Sequence, residues 1–598
     1  MTVQHNVAVA EDLERNLGDP HDPATLLSFQ RILRYDELEE FPHELVGELQ
    51  RRAVHEYCLP AEWGGRAGDV ETGFLLLRLV ARRDPTTASA LMLTDLAFMP
   101  TWIGGSQEQR TRFVSMINNG AKMAWGLSER HHGSDVLSND MRAEKVDGGY
   151  LLTGEKWLIG IATLADVVTV HARTGERGGP GDWSIFAVEK RLCPAGSVRE
   201  VPNERLHGLR ALDLSGIVLD QVFVPDSHLI GGEGQGLELV LKSAQVARTT
   251  ISGIALGAAD TALRVTADFI VKREIFGKTV AEIPYTRRQM AESFADLLLS
   301  EAVATGGVRA LQACPDQVGI TSAIVKYFVP TSLERTLSQL SLVLGARLYL
   351  REHPHYGIFQ KMLRDILVSV FADGNTVVNL KSVGAQLQTI LTRSATATTD
   401  QRAAAIAKTA LMYDIDAKLA EWVPAQQQLF SRDGDVVLVA LPDAVARLRE
   451  LARTREGEQR AWFEQSAELA GRLLAEVDRL AADQRDAQER LGRAYGASAE
   501  LYRLAEQYCA LHAGAAVIHL IVNSQAVLAD PFPDGAVLLL CLERVWRTFH
   551  PTETVTDVAA IDRVTDVLLR LHGERKLFSH WQIQVEASGE AGTPEETE

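Results

Sequence analysis

The sequence predicts a mainly α-helical protein with a central β domain and an extra helical bundle at its C-terminal end. Apolar residues recur at helical spacings of three and four in residues 1–120 and again in 233–392. Between these segments, residues 121–232 form short runs of β-branched and apolar residues, with turn residues between the runs. Residues 393–598 return to the helical pattern. We therefore expect four domains with these bounds.

Individual elements follow from the same patterns. Helices are expected at Leu45–Tyr57, Gly73–Arg83, Thr86–Ile103, Ser106–Asn118, Leu237–Lys272, Thr286–Leu311 and Ala461–Leu491. Strands are expected at Tyr150–Ile159, Val167–His171, Trp183–Val188 and Ser215–Val224. Leu59-Pro60 ends the first helix, Ser106 is a suitable N-cap, and the turn residues 147–149 precede the first strand. The run RSATATT at 393–399 is expected to be a linker, and the acidic end, Ala587–Glu598, is expected to be disordered.

The composition excludes several classes of protein. The chain has 61 basic and 79 acidic residues, a net charge of −18, whereas nucleic-acid binding requires a basic surface. The five cysteines are scattered and form no C-x-x-C pair, which indicates reduced thiols rather than a disulfide framework or a zinc site. The longest apolar stretch, Leu511–Ala529, contains several polar residues and predicts a buried helix, not a membrane span. The N-terminus has no secretion signal, so we expect a cytoplasmic protein.

Two motifs lie in the predicted β segment. Residues 125–135 read WGLSERHHGSD, and residues 154–159 read GEKWLI. An extended strand offers backbone N–H groups to the edge of a ligand, while glycine and serine permit close approach and donate hydrogen bonds. Taken alone, the first motif more often forms a β-hairpin with a Gly-Ser-Asp turn. Its meaning therefore depends on what else the sequence contains.

Three further motifs stand before and after these two. They are LPAEWGG at 59–65, VKREIFGK at 271–278 and FADGNT at 371–376. With the two β motifs, this order and spacing resemble the acyl-CoA dehydrogenase family over residues 10–395. The resemblance implies the fold of that family, with a helical domain, a β-barrel-like domain and a four-helix bundle. It also implies an FAD-dependent oxidoreductase that acts on acyl thioesters.

The resemblance implies which residues of the first motif bind FAD. Positions that match Trp125, Leu127 and Ser128 lie along the flavin ring in the family. Positions that match Gly133 and Ser134 approach the FAD phosphates. We expect the same contacts in this chain.

The second motif departs from the family. Leu158 stands where the family has a tryptophan that covers the flavin, and Gly160 stands where a threonine hydrogen-bonds flavin N5. We expect the neighbouring Trp157 to supply the aromatic cover and the Gly160 backbone N–H to replace the hydroxyl group.

Three residues later in the chain, Arg273, Phe276 and Gly345, are also implied to contact FAD. In the family, residues that match Arg273 and Phe276 reach across a dimer interface, and arginine suits a pyrophosphate because its planar fork makes bidentate contacts. Gly345 falls in the glycine-rich turn on the adenosine side. We expect Val271–Lys278 to be a helix end terminated by Gly277; the alternative to an FAD contact is a solvated helix end with Phe276 in the core.

The expected catalytic base is Asp373. The family base is a glutamate in a Tyr-Glu-Gly-Thr context, and Asp373-Gly374-Asn375 stands at that place. Aspartate is shorter by about 1.5 Å, while desolvation by a bound acyl chain raises a carboxyl pKa toward a useful range. Some members carry the base on an earlier helix, but Ala247 occupies that position here. Arg248 and Gly374 are expected to contact the substrate; the alternative for Asp373 is a helix N-cap or a loop carboxylate.

Three functions remain open. The first is FAD-dependent α,β-dehydrogenation of an acyl-CoA or of an acyl group on a carrier protein, with an electron-transfer flavoprotein, or O₂ in an oxidase, as the final acceptor. The second is a flavin-dependent monooxygenase of the same fold, which the replaced residues Leu158 and Gly160 favour. The third is a cofactor-free helical assembly protein. No metal site is expected, and a homodimer is expected because the C-terminal extension covers the surface through which tetrameric members associate.

Overall fold

The chain folds into helices packed around one β sheet, followed by a further group of helices. The computed structural model describes residues 3–528 and 532–586, so the expected acidic tail at 587–598 lies outside the described residues. The α-helices are α1 (Val3–Leu17), α2 (Phe29–Leu38), α3 (His43–Arg51), α4 (Val70–Arg83), α5 (Pro85–Gly104), α6 (Gln107–Asn118), α7 (Gly236–Thr250), α8 (Ser252–Lys272), α9 (Pro284–Ala313), α10 (Val318–Leu344), α11 (Gly357–Asp365), α12 (Val368–Phe371), α13 (Thr376–Thr396), α14 (Thr399–Tyr413), α15 (Val436–Val439), α16 (Leu441–Arg453), α17 (Gly457–Leu491), α18 (Ala499–Asn523), α19 (Gly535–Trp546) and α20 (Val558–Gly573). The β-strands are β1 (Met123–Gly126), β2 (Arg142–Val146), β3 (Gly149–Gly160), β4 (Val167–Arg173), β5 (Trp183–Glu189), β6 (Val198–Val201), β7 (Leu214–Pro225), β8 (Leu229–Ile230), β9 (Glu274–Ile275) and β10 (Lys278–Thr279).

One 8-stranded sheet forms the centre, with the order β6-β7-β3-β2-β4-β5-β8 and with β1 paired to β4. Strands β4 and β5 are buried along almost their whole length, because α5 packs on β1 and β4 and α7 packs on β5. The long pair β3–β7 is antiparallel and contains a register shift between Trp157 and Ile159. Leu158, at this bulge, has a positive φ of 54°. The mainly helical architecture with a central sheet agrees with the sequence prediction.

Helices α5 and α6 start at well-defined caps. The side chain of Asp84 caps α5 by accepting from the N–H groups of Thr86 and Thr87, and Pro85 occupies the first helical position. The side chain of Ser106 caps α6 in a capping box, as the sequence predicts. These caps fix where α5 enters and leaves the core.

The expected linker at 393–399 is wrong. Helix α13 continues to Thr396, and α14 begins at Thr399. Thr398 accepts a hydrogen bond from the Gln401 N–H, so the small polar residues form a helix cap between two adjacent helices rather than an extended connection.

The C-terminal helices pack as a layered unit around α18. The long helix α17 buries the predicted face, which includes Trp462, Ser466, Leu469, Leu473 and Leu480. The apolar stretch that starts at Leu511 lies in α18, which packs against α9, α13 and α17. Among the described residues, no helix is long and apolar enough to cross a membrane.

Candidate active site

The loop between α12 and α13 carries the predicted base. Asp373 and Gly374 have left-handed backbone conformations, with φ of +55° and +95°. Aspartate tolerates this conformation better than most residues, and glycine adopts it without strain. The next residue, Asn375, caps α13 by accepting a hydrogen bond from the Val378 N–H at 2.9 Å. The helix cap is therefore Asn375, and the alternative in which Asp373 caps the helix is wrong.

Three side chains from three helices hold the backbone of this loop and of α12 before it. Arg248 of α7 donates from Nε to the Asp373 carbonyl oxygen at 3.1 Å. Lys326 of α10 donates from Nζ to the Ser369 carbonyl oxygen at 2.5 Å. Asn379 of α13 donates to the Gly374 carbonyl oxygen at 3.0 Å. We call this set the base-loop clamp: Arg248, Lys326 and Asn379. It fixes where the Asp373 side chain begins.

Burial and charge act in opposite directions on Asp373. Desolvation raises the pKa of its carboxyl group above the ordinary aspartate value, while the charges of Lys326 and Arg248 lower it; desolvation is the larger effect. Lys326 is itself fully buried, and desolvation lowers its pKa to about 7. The loop thus holds a carboxyl group whose proton affinity is higher than that of an aspartate in water.

The lack of a side chain at Gly374 leaves room for the Arg248 guanidinium. A Cβ atom at Gly374 would lie 3.1 Å from Nη2 and 3.3 Å from Nε of Arg248. The positive φ of Gly374 also disfavours any side chain. The sequence associated both residues with the substrate, and the structure brings them together at the base.

The two β motifs meet at the end of β1. Ser128 donates from Oγ to the Trp157 carbonyl oxygen at 2.9 Å, and the Trp157 backbone N–H donates to the Ser128 carbonyl oxygen at 3.1 Å. The buried pair of Lys156 and Glu129, with Nζ and Oε1 2.8 Å apart, also joins β3 to this loop. Lys156 donates in addition to the Leu127 carbonyl oxygen. Leu127 and Ser128 are thereby held against β3.

The remaining residues of the first motif are more open. Trp125 is half-buried in β1, while Gly133 and Ser134 are exposed. A Cβ atom placed at Gly133 meets nothing within 4 Å. His132 forms a hydrogen bond with Asp135, which raises the pKa of the imidazole and orders the end of the loop.

Trp157 and Leu158 leave the sheet in different directions. Trp157 donates from Nε1 to Glu204 at 3.1 Å, and the Arg130 guanidinium lies 4.7 Å from its ring centroid. Leu158 is 37% exposed at the bulge. The structure does not test the expected aromatic cover by Trp157.

Gly160 has a neighbour that the sequence analysis missed. A Cβ atom at Gly160 would lie 2.5 Å from Cδ1 and 2.7 Å from Cδ2 of Leu93 in α5. Real Cβ atoms essentially never come this close, so the Leu93 side chain occupies the space that a threonine at 160 needs. The Leu93 side chain of α5 therefore lies where the family's threonine side chain would be.

Arg273 and Phe276 do not lie in a helix. Helix α8 ends at Lys272, and β9 and β10 form an antiparallel hairpin in which Ile275 pairs with Lys278. Phe276 and Gly277 form its turn, both with positive φ. The expectation that Gly277 ends a helix is therefore wrong, because its left-handed conformation serves a two-residue turn. Phe276 is 99% exposed and is not in the core of this chain.

Gly345 ends α10 with φ of +58° and is exposed. Close to it, Leu342 and Tyr349 expose 66% and 84% of their surfaces. This turn and the Phe276 hairpin both present apolar side chains to solvent. Neither lies against the β motifs through a contact that the structure records.

A largely apolar cavity has part of its wall on α7, the helix that also carries Arg248. It encloses about 840 Å³ of empty space, including the part open to solvent, between α4, α5 and α7. Val246, Ala247 and Thr250 form its wall on α7, next to Arg248. Trp422, from the segment after α14, also lines the cavity and packs against Trp102, with ring centroids 4.7 Å apart.

Sequence reasoning missed Lys326 and Asp95. Lys326 gives no local signal, because its role depends on the packing of α10 against the base loop. Asp95 lines the cavity and is the single charged residue in the 20-residue sequence of α5, PTTASALMLTDLAFMPTWIG. One carboxylate in a buried helix was a detectable signal. Among the described residues, no group of three or more His, Cys, Asp or Glu could hold a metal ion.

Models of known protein families match the chain in three consecutive parts. The acyl-CoA dehydrogenase N-terminal domain matches residues 29–121, the middle domain matches 124–222 and the C-terminal domain matches 234–388. An acyl-CoA dehydrogenase of Bacillus subtilis is 25% identical over 57% of this chain and 89% of its own length. Cyclohex-1-ene-1-carbonyl-CoA dehydrogenase of Geobacter metallireducens is 26% identical over 62% of this chain and 97% of its own length.

Solved structures share the fold. An acyl-CoA dehydrogenase from Bacillus anthracis, complexed with FAD, has a TM-score of 0.66 at 17% identity and covers 96% of this chain and 94% of its own. Butyryl-CoA dehydrogenase from Megasphaera elsdenii has a TM-score of 0.58 at 22% identity and covers 64% of this chain and 97% of its own. The higher coverage by the first structure means that the C-terminal helices have counterparts there.

The residues at the β motifs fit FAD in their chemistry. Leu158 offers apolar surface for a ring, and the exposed Gly133–Ser134 segment offers backbone N–H groups and a hydroxyl group with open space in front of them. The exposed Arg273 guanidinium suits a pyrophosphate. Gly160 can contact FAD only through its backbone N–H and carbonyl groups. The donor set is compatible with FAD, with one hydroxyl group fewer than the family pattern.

Proposed function

The chain belongs to the acyl-CoA dehydrogenase family, and from this premise we propose that it forms a Cα=Cβ double bond in an acyl thioester, with Asp373 as the base. Members of this family are FAD-dependent oxidoreductases that act on CH–CH bonds. The observation that carries the proposal is the base-loop clamp, which holds the half-buried Asp373 through Arg248 of α7, a helix that also lines a largely apolar cavity.

Asp373 has the task of removing the α-proton. The C–H electron pair left at Cα becomes the new π bond as the β-hydrogen departs with its own pair. FAD, when bound, supplies the acceptor for this hydride. The carboxylate must be ionised before the reaction and protonated after it, and a pKa above the usual aspartate range makes it a stronger base.

Arg248 and Lys326 position this base and set its charge state. Arg248 donates to a backbone carbonyl group of the loop and Lys326 to one of α12, directly before the loop, so the Asp373 side chain needs little reorganisation when substrate binds. Their positive charges keep the pKa of the carboxyl group from rising further in the buried site. The fixed backbone also offsets the shorter side chain of aspartate, because the loop sets how close Asp373 lies to the α-carbon of the substrate.

Trp125, Leu127, Ser128, Gly133 and Ser134 are proposed to hold FAD from the β domain. Their support is the tie between Ser128 and Trp157 and the open space at Gly133. The Gly160 backbone is proposed to face the flavin in place of a hydroxyl group.

Arg273, Phe276 and Gly345 are proposed to contact the FAD of a second copy of the chain. Their support is the 99% exposure of Phe276 at the tip of a hairpin, together with the exposed Leu342 and Tyr349 near Gly345. A homodimer is part of the same proposal. The C-terminal extension is proposed to cover the surface that would otherwise join two dimers.

The carrier and the final electron acceptor belong to the same proposal. The acyl group is carried by coenzyme A or by an acyl carrier protein, and reduced FAD passes its electrons to an electron-transfer flavoprotein. An oxidase that uses O₂ is tested in the same experiment.

A second candidate is a flavin-dependent monooxygenase of the same fold. The observation that favours it is the contact between Gly160 and Leu93, which replaces a hydroxyl group by an alkyl group at the expected flavin face. Such an enzyme would need no base at Asp373. It therefore predicts no dependence of turnover on the Asp373 carboxyl group.

The test is product analysis with the FAD-loaded protein and a series of acyl-CoA thioesters, with an artificial electron acceptor. We expect a product that has lost two hydrogen atoms, from Cα and Cβ, by mass spectrometry. The same reaction in air, without acceptor, yields hydrogen peroxide if the enzyme is an oxidase. A product that has gained oxygen, formed only with reduced flavin and O₂, would replace dehydrogenation by monooxygenation.

A further inference from the structure

The acyl cavity contains a carboxyl group for which the proposed reaction has no use. Asp95 lies on the face of α5 that also carries Met92, Leu96 and Met99, at helical spacings of three and four. Every other residue of this face is apolar, and Asp95 is the only charge of the helix. The carboxyl group therefore interrupts a wall that would otherwise suit an alkyl chain.

Asp95 is not satisfied by the residues around it. Its Oδ1 atom is buried and has no hydrogen-bond partner within residues 3–528 and 532–586. Burial raises the pKa of the carboxyl group to about 7, and the nearby Cys58 thiol, a weak donor, lowers it only in part. A buried carboxyl group without a good partner costs free energy. This arrangement indicates a partner that the chain itself does not supply.

The other polar groups of the wall define what that partner must be. They are His55, Tyr57, Cys58, Asp69, Thr250 and Trp422. Burial lowers the pKa of His55 and raises that of Cys58, so both are neutral near pH 7. None of the lining residues in the described part of the chain is a lysine or an arginine. Within the described residues, the cavity wall therefore offers the carboxyl groups of Asp95 and Asp69 and no cationic side chain, which suits a positively charged donor.

Two further features of the wall bear on how a ligand lies. Trp422 lines the cavity and packs on Trp102. Ala247 and Thr250 line it from α7, the helix whose Arg248 holds the base loop. With the cavity taken as the acyl site, a group bound at Asp95 is part of the acyl chain, and the reacting carbons lie toward α7.

We propose that the acyl group of the substrate carries an amino group, which Asp95 binds in its ammonium form. This inference rests on the proposed function, since it takes the cavity as the acyl site. An ammonium group donates to Oδ1 and pairs with the buried carboxylate. A plain alkyl chain of the same shape leaves the carboxyl group buried and unpaired, and a site built for hydrogen bonding discriminates strongly against such a ligand.

The test compares pairs of coenzyme A thioesters in which an amine replaces an isosteric carbon. The pairs are 3-aminopropionyl with butyryl, 6-aminohexanoyl with heptanoyl, and prolyl with cyclopentanecarbonyl, which place the amine at three distances from the thioester. With the FAD-loaded full chain, we expect the amine member of at least one pair to have a kcat/KM at least about tenfold higher. Asp95→Leu reverses that preference, and Asp95→Asn weakens it.

Glu108→Gln is the matched control. It also removes one carboxylate, but from the exposed first turn of α6, so it leaves the preference unchanged. Asp95→Leu and Asp95→Asn each remove a buried charge and are expected to melt no lower than the wild type. Melting curves and FAD content verify this before the kinetics are compared.

A binding measurement separates this proposal from the proposed function. In Asp373→Ala enzyme, the affinity of each thioester is measured by tryptophan fluorescence, since Trp422 lines the cavity and packs on Trp102. Amine-selective binding that Asp95→Leu abolishes supports the role of Asp95 even if no thioester is oxidised. Oxidation of alkyl thioesters, with no preference for any amine and no effect of Asp95→Leu, overturns the role of Asp95 and leaves dehydrogenation standing. Failure of every thioester to bind overturns both.

Discussion

The Arg248 guanidinium donates from Nε to the backbone carbonyl of Asp373 at 3.1 Å. One helix, α7, therefore shapes both the acyl cavity and the base loop, because Ala247 and Thr250 lie in the cavity wall. A change in the cavity can thus reach the base through a single helix. This coupling underlies several of the expected outcomes below.

Asp373→Asn should remove the base without disturbing the loop. Asparagine has almost the same shape and also tolerates a φ of +55°. We expect the rate of substrate oxidation to fall by a factor of about 10² to 10⁴, the usual contribution of a general base. FAD content and melting temperature should remain those of the wild type. Turnover within about twofold of the wild type would remove Asp373 from the mechanism.

Gly374→Ala should displace the arginine that positions the base. The new Cβ would meet Arg248 Nη2 at 3.1 Å, in a residue with φ of +95°. We expect a loss of about 1 to 3 kcal/mol in the free energy of unfolding and a clear fall in kcat. Gly573→Ala is the control, since its Cβ meets nothing within 4 Å. Denaturant unfolding and steady-state kinetics measure both effects; equal behaviour of the two variants would mean that Gly374 is not constrained.

The pH dependence of kcat/KM should report the buried base. Activity rises as Asp373 loses its proton, and burial raises the pKa of that carboxyl group, so the rise lies above the usual aspartate range. Lys326→Met removes a positive charge that lowers this pKa. The acidic limb of the profile therefore moves to higher pH.

Lys381→Met provides the comparison for Lys326, because Lys381 is an exposed lysine of α13. Its charge is screened by water, so the profile should stay in place. A shift of the acidic limb to lower pH in the Lys326 variant would contradict the electrostatic account.

Gly160→Thr tests the contact with Leu93. The added side chain would overlap Leu93, whose Cδ1 lies 2.5 Å from the ideal Cβ position. Leu93 is half-buried and its Cδ atoms can turn away, so we expect a loss at the lower end for overpacking, about 1 kcal/mol. The double variant Gly160→Thr/Leu93→Ala should recover part of that stability, as measured by a double-mutant cycle of unfolding free energies. If the double variant loses as much unfolding free energy as the two single variants together, the two side chains do not compete for the same space.

Phe276→Ser tests the second copy of the chain. Phe276 is 99% exposed, so its removal should leave the monomer fold intact. We expect weaker self-association in analytical ultracentrifugation and an FAD affinity lower by about tenfold, as for an apolar anchor at an interface. Val558→Ser is the control, at a valine that is 75% exposed on α20. An unchanged dimer and unchanged FAD affinity in Phe276→Ser would remove the hairpin from the interface.

Local patterns predict much of this fold. The strand at Tyr150–Ile159 and the helix start at Ser106 depend on alternation, turn residues and capping, which act between near neighbours in the sequence. The run at 393–399 misled the prediction because small polar residues serve linkers and helix caps equally well. Gly277 misled it because a left-handed glycine ends helices and forms hairpin turns alike.

The site is less predictable, because its parts come from distant segments. Asp373 could be found from its motif, but the Arg248 contact and the buried Lys326 depend on how α7 and α10 pack. The fit between Gly160 and Leu93 joins the β domain to α5. Packing between domains decides these contacts, and no local pattern records it.

The most direct measurement is the visible spectrum of the FAD-loaded protein, recorded without oxygen before and after each acyl thioester is added. The account predicts that the oxidised flavin absorbance of the wild type is lost with at least one thioester, and that Asp373→Asn loses it at least about 100 times more slowly. Equal bleaching rates in the two proteins would contradict the role of Asp373. A flavin spectrum that no thioester changes would contradict acyl thioester dehydrogenation itself.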